Sequence, residues 1–518
     1  MKIPSPRALG LPEKFQAWRP IQEEAIRLLL TDRRRVTALA MPTGSGKTAC
    51  VIAYALISKK PTCYVTHSRG LADQAMEDFA GVGLVDIRGR RNYPCGVSPD
   101  WTCEDGYAAK CPYRGKVHCP ATQAEMRAAV SSLVVTNYAK WTSARKFGQG
   151  MQHFQQVIFD EGHLCPDALA NAMQVTLGAR ELEEELGIPF PSQDRDLVQT
   201  WKTWASAARA EVEPLMIQAH RRLQHSHDPK SSWVRSYTHL RHLSKRLATL
   251  STARVADWVV DELPRGFQFD PIRPGRYAEA ALLLKIPRVI VMSATLRPKT
   301  LFMIGVGQAH FTFREFDSEF DPKRCPIYWV PTMRVDNRAK DLSMLWMRLD
   351  QVLARRRDRK GIVHTISYAR RDEILASSRF ASSMLINQRG EASTEMVETY
   401  KMAPPGTILV SPSVGAGYDF PKDECEFQFI CKIPFPDGRS KIVKARSEDD
   451  KEYGAYQAMQ ALVQTFGRGM RSKDDHCENF LCDNHIEWFL PRYGHLAPRS
   501  FHINFRRVEV LPQPPPKL

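Results

Sequence analysis

The sequence predicts an α/β protein of two successive domains, the first interrupted by two insertions. Three observations predict it. At 518 residues the chain is longer than one hydrophobic core usually serves, which implies two to four domains, and its 43% hydrophobic content suits ordinary globular packing. A buried strand, a glycine loop and an apolar helix follow one another from Val36. Strand and helix then alternate again after Thr295, through KGIVHTISYARRDEIL, GTILVSPSVGAGYDFP and EFQFICKIPFP to the helix-like AYQAMQALVQTFGRGMRS. We expect the first domain at residues 1–87, 126–164 and 286–310, the insertions at 88–125 and 165–285, and the second domain at 311–518.

The first element carries chemistry. In RRVTALAMPTGSGKTACVIAYAL, Val36 to Ala40 read as the strand, Pro42 to Gly46 as the turn and Lys47 onward as the helix. This is the context of a phosphate-binding P-loop. Gly44 and Gly46, with Thr43 and Ser45 between and before them, let backbone N–H groups close around phosphates at the positive end of the helix. Lys47 reaches the outer phosphates and Thr48 ligates Mg. Met41 stands where a stricter pattern has glycine.

Downstream, QQVIFDEGHL ends a hydrophobic strand on two carboxylates. Asp160 would hold Mg directly or through water, and Glu161 would orient and deprotonate the water that attacks the γ-phosphate of ATP. In RVIVMSATLRP a further strand runs into Ser293, Ala294 and Thr295, small residues suited to relaying nucleotide state. Gln464, Arg468 and Arg471 fall at i, i+4 and i+7, so one helix would present all three on one face, where they could stabilise charge on the transferring phosphoryl group.

Cys95, Cys103, Cys111 and Cys119 recur at intervals of eight in a short polar stretch. Twelve cysteines are few for a disulfide scaffold of this length, and no signal-peptide-like run or stretch of about 18 apolar residues occurs, so the expectation is a soluble, non-secreted, intracellular chain without a membrane partner, cytoplasmic or nucleoid-associated, or nuclear in a eukaryote. Clustered thiols in a reducing compartment point to metal. Arg88, Arg90, Arg91, Lys110, Arg114 and Lys116 crowd the same stretch and could grip phosphates, with Trp101, Tyr107 or Tyr113 for base stacking. The net charge of +16 favours a polyanionic partner.

The second insertion reads as helical: Leu240, Leu243, Leu247 and Leu250 repeat at three and four and pack a small core, with Trp201, Trp204, Trp233 and Trp258 in it. Its middle is basic, with Arg221, Arg222, Lys230, Arg235, Arg241, Lys245 and Arg246. Cys477, Cys482 and His485 lack a fourth ligand and read as structural, and PQPPPKL reads as an extended tail.

MPTGSGKT, DEGH, SATL, VGAGYDF and QTFGRGMR stand in the order found in superfamily 2 helicases, and the chain resembles their XPD and DinG branch from about Trp18 to Asp483. FQAWRPIQEEAI and LVVTNYAKW also match. The resemblance implies two RecA-like domains, Arg19, Gln22, Gly417 and Asp419 as nucleotide contacts, a helical arch at the second insertion and a [4Fe–4S] cluster on the four cysteines. The cysteine gaps differ from the family's uneven ones, so tetrahedral zinc and unliganded thiols stay open. Gly162 replaces the alanine of the DEAH form, and Ala416 stands where this branch has glutamate. The implied activity is an ATP-dependent DNA helicase moving 5′ to 3′ on single-stranded DNA at forked or looped duplexes, with RNA as a second substrate class. The alternatives are an ATP-driven translocase or remodeller without unwinding, and a zinc-held binding module, against which the intact Lys47, Asp160, Glu161 and Arg468 argue.

Overall fold

A computed structural model of the chain describes all residues except 1, 99, 109–110, 112, 114–115, 117, 147–152, 226–231, 337–340, 366, 387–392, 413, 415–417, 419, 471, 473 and 517–518. It divides into two compact units, Met1–Leu39 with Lys47–Arg314 and Gly438–Asp449, and Ala40–Gly46 with Glu315–Asp437 and Asp450–Leu518.

The strands up to residue 315 are, in chain order, β1 (Val36–Ala40), β2 (Thr62–Thr66), β3 (Leu84–Asp86), β4 (Leu133–Asn137), β5 (Gln156–Phe159), β6 (Val175–Gly178), β7 (Trp258–Leu263), β8 (Gly266–Pro271), β9 (Arg288–Ser293) and β10 (Phe311–Glu315). Seven of them make one sheet in the order β10, β1, β9, β5, β2, β4, β3. Residues of β1, β2 and β5 are buried throughout, as expected of parallel strands covered on both faces, which therefore read as unbroken apolar runs. Helix Lys47–Ser58 follows β1 and buries Ala49 to Ala55.

The second insertion departs from the helical expectation. Helices Val198–His225 and Ser232–Ser251 are present, and Leu240, Leu243, Leu247, Leu250 and Trp201 lie in one buried core. That core is completed by a three-stranded antiparallel sheet, β6, β8, β7. The hairpin DELPRGFQF is the signal that helical periodicity masked: Pro264 and Arg265 turn it, and Gly266 opens the return strand at φ 147°, where a Cβ would collide with Leu177 O. The segment Gly438–Asp449 packs on this sheet, with Lys441 N–H donating to Asp261 Oδ2 (3.2 Å), Arg446 to Pro271 O (2.9 Å), and Asp449 paired with Arg273. Among the described residues, no helix is long and apolar enough to cross a membrane.

The second unit holds β11 (Ile327–Met333), β12 (Gly361–His364), β13 (Met384–Leu385), β14 (Ile408–Ser411), β15 (Phe427–Ile430), β16 (Glu478–Asp483) and β17 (Phe505–Arg507). They form a sheet in the order β13, β14, β12, β15, β16, β11, β17, parallel at every neighbouring pair. The proline-rich tail is tied down. Leu511 is buried in the core, and Arg355, Arg356 and Arg359 donate to the carbonyls of Leu511, Pro512 and Pro515.

Candidate active site

In open α/β sheets, ligands sit outside the carboxyl ends of the strands. β1, β9, β5 and β2 are adjacent in the sheet, and each delivers a candidate residue at or near that end. After β1 the loop turns through left-handed glycines, Gly44 (φ 73°) and Gly46 (φ 77°), and Ser45 Oγ closes it on Pro42 O at 2.6 Å. Thr43 lies in this loop, and Lys47 and Thr48 open the helix that follows.

β5 ends on the two carboxylates. Asp160 is buried and held at three points: Tyr64 O–H donates to Oδ2 (2.6 Å), Glu161 N–H to Oδ1 (2.9 Å), and Tyr138 O–H to its backbone carbonyl (3.0 Å). Glu161 takes a left-handed backbone at φ 47°, uncommon for a residue with a Cβ and worth noting where chemistry is expected. Its Oε2 accepts from Ser293 Oγ (3.1 Å) at the end of β9 and lies 3.3 Å from His163 Nδ1, while Oε1 has no hydrogen-bond partner among the described residues. Ser293 gives its one proton to Glu161, so at 2.8 Å it accepts from His163, which fixes the proton on Nδ1.

The two carboxyls are driven apart. Burial, then the adjacent Glu161 charge, push Asp160 up. Burial pushes Glu161 up too, but His163, Lys47 and Ser293 together hold it below the usual carboxylate range, which keeps it ionised.

Tyr64, Tyr138 and His163 were missed as site residues. His163 and Tyr138 lie inside DEGH and LVVTNYAKW, so position beside a motif was a usable signal; Tyr64, inside an apolar strand, gave none. Ser293 was marked as a relay, and its hydroxyl turns out to hold the carboxylate beside it.

Two family models match the chain: the type III restriction enzyme res subunit at residues 16–178 and the helicase C-terminal domain at residues 351–503. The ATP-dependent DNA helicase YoaA of Haemophilus influenzae is 23% identical over 586 aligned positions, covering 90% of each chain. A solved XPD helicase superposes with TM-score 0.67 at 14% identity, over 95% of this chain and 99% of that one, and Xpd4 of S. tokodaii with 0.60 at 14%, over 95% and 100%. Together these matches support an ATP-dependent helicase of the XPD/DinG-like kind within superfamily 2.

In this helicase the cysteine segment gathers its thiols without a described metal-binding set. Cys103 and Cys119 stand 3.7 Å apart, and a Cβ on Gly106 would lie 2.5 Å from Cys95 Sγ and 3.6 Å from Cys111 Cβ, so Gly106 leaves room for the other two. Among the described residues, no group of three or more His, Cys, Asp or Glu is arranged to hold a metal. Cys103 is pushed up to about 12 by burial and by its contact with Cys119. Burial acts likewise on Cys119, but it stands at the N-terminal end of helix Pro120–Val130, where Thr122, Cys103 and the Ala121 N–H hold it below the usual thiol value.

In the basic stretch of this helicase the described arginines have acidic neighbours. Arg88 pairs with Asp73 and Asp86, Arg90 with Glu125, and Arg91 with Glu104. Tyr107 lies beneath the Arg90 guanidinium (4.0 Å), and Trp101 packs against Leu223 and Val234 of the helical insertion, where Glu104 also meets His242 (3.0 Å). In the insertion itself Arg246 is paired with Glu181, and Arg222 covers Trp233. Tyr113 stays exposed; Lys110, Arg114 and Lys230 lie outside the described residues.

Arg19 caps helix Pro20–Thr31, its N–H donating to Gln22 Oε1 (3.0 Å). In the second unit, helix Tyr453–Phe466 carries Gln464 but stops before Arg468, so the shared helical face is not formed. Beyond the helix end, Gly469 packs closely on Cys477, where a Cβ would lie 2.6 Å from its Sγ. Arg468 is buried and donates to Tyr418 O (2.6 Å). Arg471, Ala416, Gly417 and Asp419 lie outside the described residues.

Proposed function

We propose that this helicase hydrolyses ATP to move 5′ to 3′ along single-stranded DNA and to separate the duplex at forks or loops. The observation that carries the reading is the meeting of Lys47 and Thr48, which follow β1, with Asp160 and Glu161, which follow β5 on the far side of β9. Backbone N–H groups of residues 43–46 and the Lys47 ammonium bind phosphates. Magnesium accompanying the nucleotide supplies charge neutralisation, and Thr48 and Asp160 would hold it. Glu161, ionised and with Oε1 open, takes a proton from the attacking water. Arg19 and Gln22 bind the nucleotide; Gln464, Arg468 and Arg471 stabilise charge on the transferring phosphoryl group, with Gly417 and Asp419 beside them.

The four cysteines suit a [4Fe–4S] cluster in donor chemistry, and their place between P-loop and Asp160 is where the resemblance puts one. One observation favours zinc: thiolates about 2.3 Å from a single tetrahedral ion stand about 3.8 Å apart, close to the 3.7 Å between Cys103 and Cys119. Metal content decides between them.

The test is strand displacement on 5′-tailed and 3′-tailed duplexes beside ATPase with single-stranded DNA or RNA. Displacement of the 5′-tailed substrate is expected. Hydrolysis without displacement would make the chain a translocase, and no DNA-stimulated hydrolysis would overturn the motor reading.

A further inference from the structure

Tyr64 is central in β2, 2% exposed, and nothing about phosphate binding requires a phenol there. Its hydroxyl lies between the two protein groups assigned to the ion, 2.6 Å from Asp160 Oδ2 and 3.4 Å from Thr48 Oγ1. Counting protons settles the direction of both contacts. An ionised carboxylate only accepts, so the single phenolic proton goes to Asp160. The only proton left for the second contact is that of Thr48, whose oxygen lone pairs are thereby turned away from Tyr64.

We propose that Tyr64 is a positioning residue for magnesium-nucleotide binding, setting through one hydroxyl both the Asp160 carboxylate and the lone-pair direction of Thr48. The inference rests on the nucleotide reading above. Magnesium demands near-ideal octahedral geometry, so a site with both groups already aligned loses less on binding. Partners that orient ligands in this way typically change metal affinity by about 10–100-fold when removed. Tyr54 supplies an internal control: it is buried in helix Lys47–Ser58, and its hydroxyl accepts from Gln156 Nε2 at 3.0 Å.

The experiment uses the full chain and a fluorescent ATP analogue. In Tyr64→Phe, affinity without magnesium should match wild type, while the magnesium concentration giving half-maximal enhancement should rise about tenfold or more. Tyr54→Phe should leave that concentration unchanged. Equal weakening with and without magnesium would make Tyr64 a packing residue and overturn the proposal, as would an unchanged magnesium titration. Should Tyr64→Phe not fold, 3-fluorotyrosine placed at 64 keeps the hydroxyl; its fluorine resonance should move when magnesium is added to the ADP complex, and a stationary resonance overturns the proposal. If wild type itself binds no ATP analogue, the nucleotide reading fails, a result distinct from either.

Discussion

Gly162 and Val291 are packed so closely that a Cβ at 162 would overlap Val291 Cγ1 and stand 3.2 Å from Met292 N. The glycine that departs from the DEAH pattern is therefore matched to the branched residue on β9. Gly162→Ala should destabilise the chain by about 1–3 kcal/mol through overpacking. It should also disturb the 3.1 Å Ser293–Glu161 bond, so hydrolysis falls more than ATP affinity. Adding Val291→Ala should recover both. Melting and steady-state ATPase read the outcome, and a single variant as stable as wild type would show that β9 yields freely.

Glu161→Gln keeps an oxygen for Ser293 and His163 but removes the base. ATP binding should persist while turnover drops about 100-fold or more. Lys47→Ala should instead lose hydrolysis together with ordinary phosphate binding. Wild-type turnover in the Gln variant would place the base elsewhere.

His364 lies buried in β12, 2.8 Å from Gln428 Oε1, which it satisfies as an Nε2–H donor, since the Gln428 amide nitrogen is given to Thr465 O and Asn479. Burial lowers it to about 4, from 6.5, against the Gln428 bond. The unfolded chain then binds the proton that the folded chain refuses, so stability is full above about 6.5 and falls as pH drops toward 4. The loss amounts to about 3 kcal/mol. Denaturant titrations of the wild type and His364→Gln at pH 7 and pH 4.5 should differ in slope with pH, and parallel behaviour would rule the histidine out.

Arg356 and Glu478 form a doubly bonded pair, 2.7 Å at each contact and essentially unexposed, with the guanidinium over Phe480. Removing one partner strands a buried charge, so Arg356→Ala should cost about 3–5 kcal/mol. Deleting residues from Leu511 onward should destabilise less, since it removes one apolar anchor and carbonyl acceptors that water can replace. Equal losses would mean the tail, not the pair, is the main support.

Much of this was legible in the sequence because the P-loop and the DE pair are local: glycine placement and a strand ending on carboxylates fix the geometry within a few residues of themselves. The two sheets were legible as unbroken apolar runs. What escaped depended on contacts distant in sequence. The partners of Arg88, Arg90 and Arg91 lie up to 35 positions away, as with Arg90 and Glu125, and a charge run does not announce its counter-ions. Arg468 escaped because helical spacing was extended through GRG, although the helix ends at Phe466, with Gly467 as its C-cap and Gly469 packed on Cys477. Tyr64 escaped because a phenol in a core strand looks like packing.

Cys103→Ser separates the motor from the cysteine segment. Cys103 opens helix Cys103–Ala108, whose Glu104 meets His242 of the helical insertion, so loss of a metal held there should loosen both that helix and the docking of Trp101. Lys47, Asp160, Glu161 and Ser293 belong to other strand ends. DNA-stimulated ATPase should therefore survive at least in part while strand displacement collapses. If the wild type purified without air is brown with about four irons, the variant should also lose its visible absorbance; if it is colourless with one zinc, the variant should lose the zinc. Collapse of both activities together would show that the segment supports the fold of the first unit, and undiminished displacement in a metal-free variant would remove the metal from strand separation.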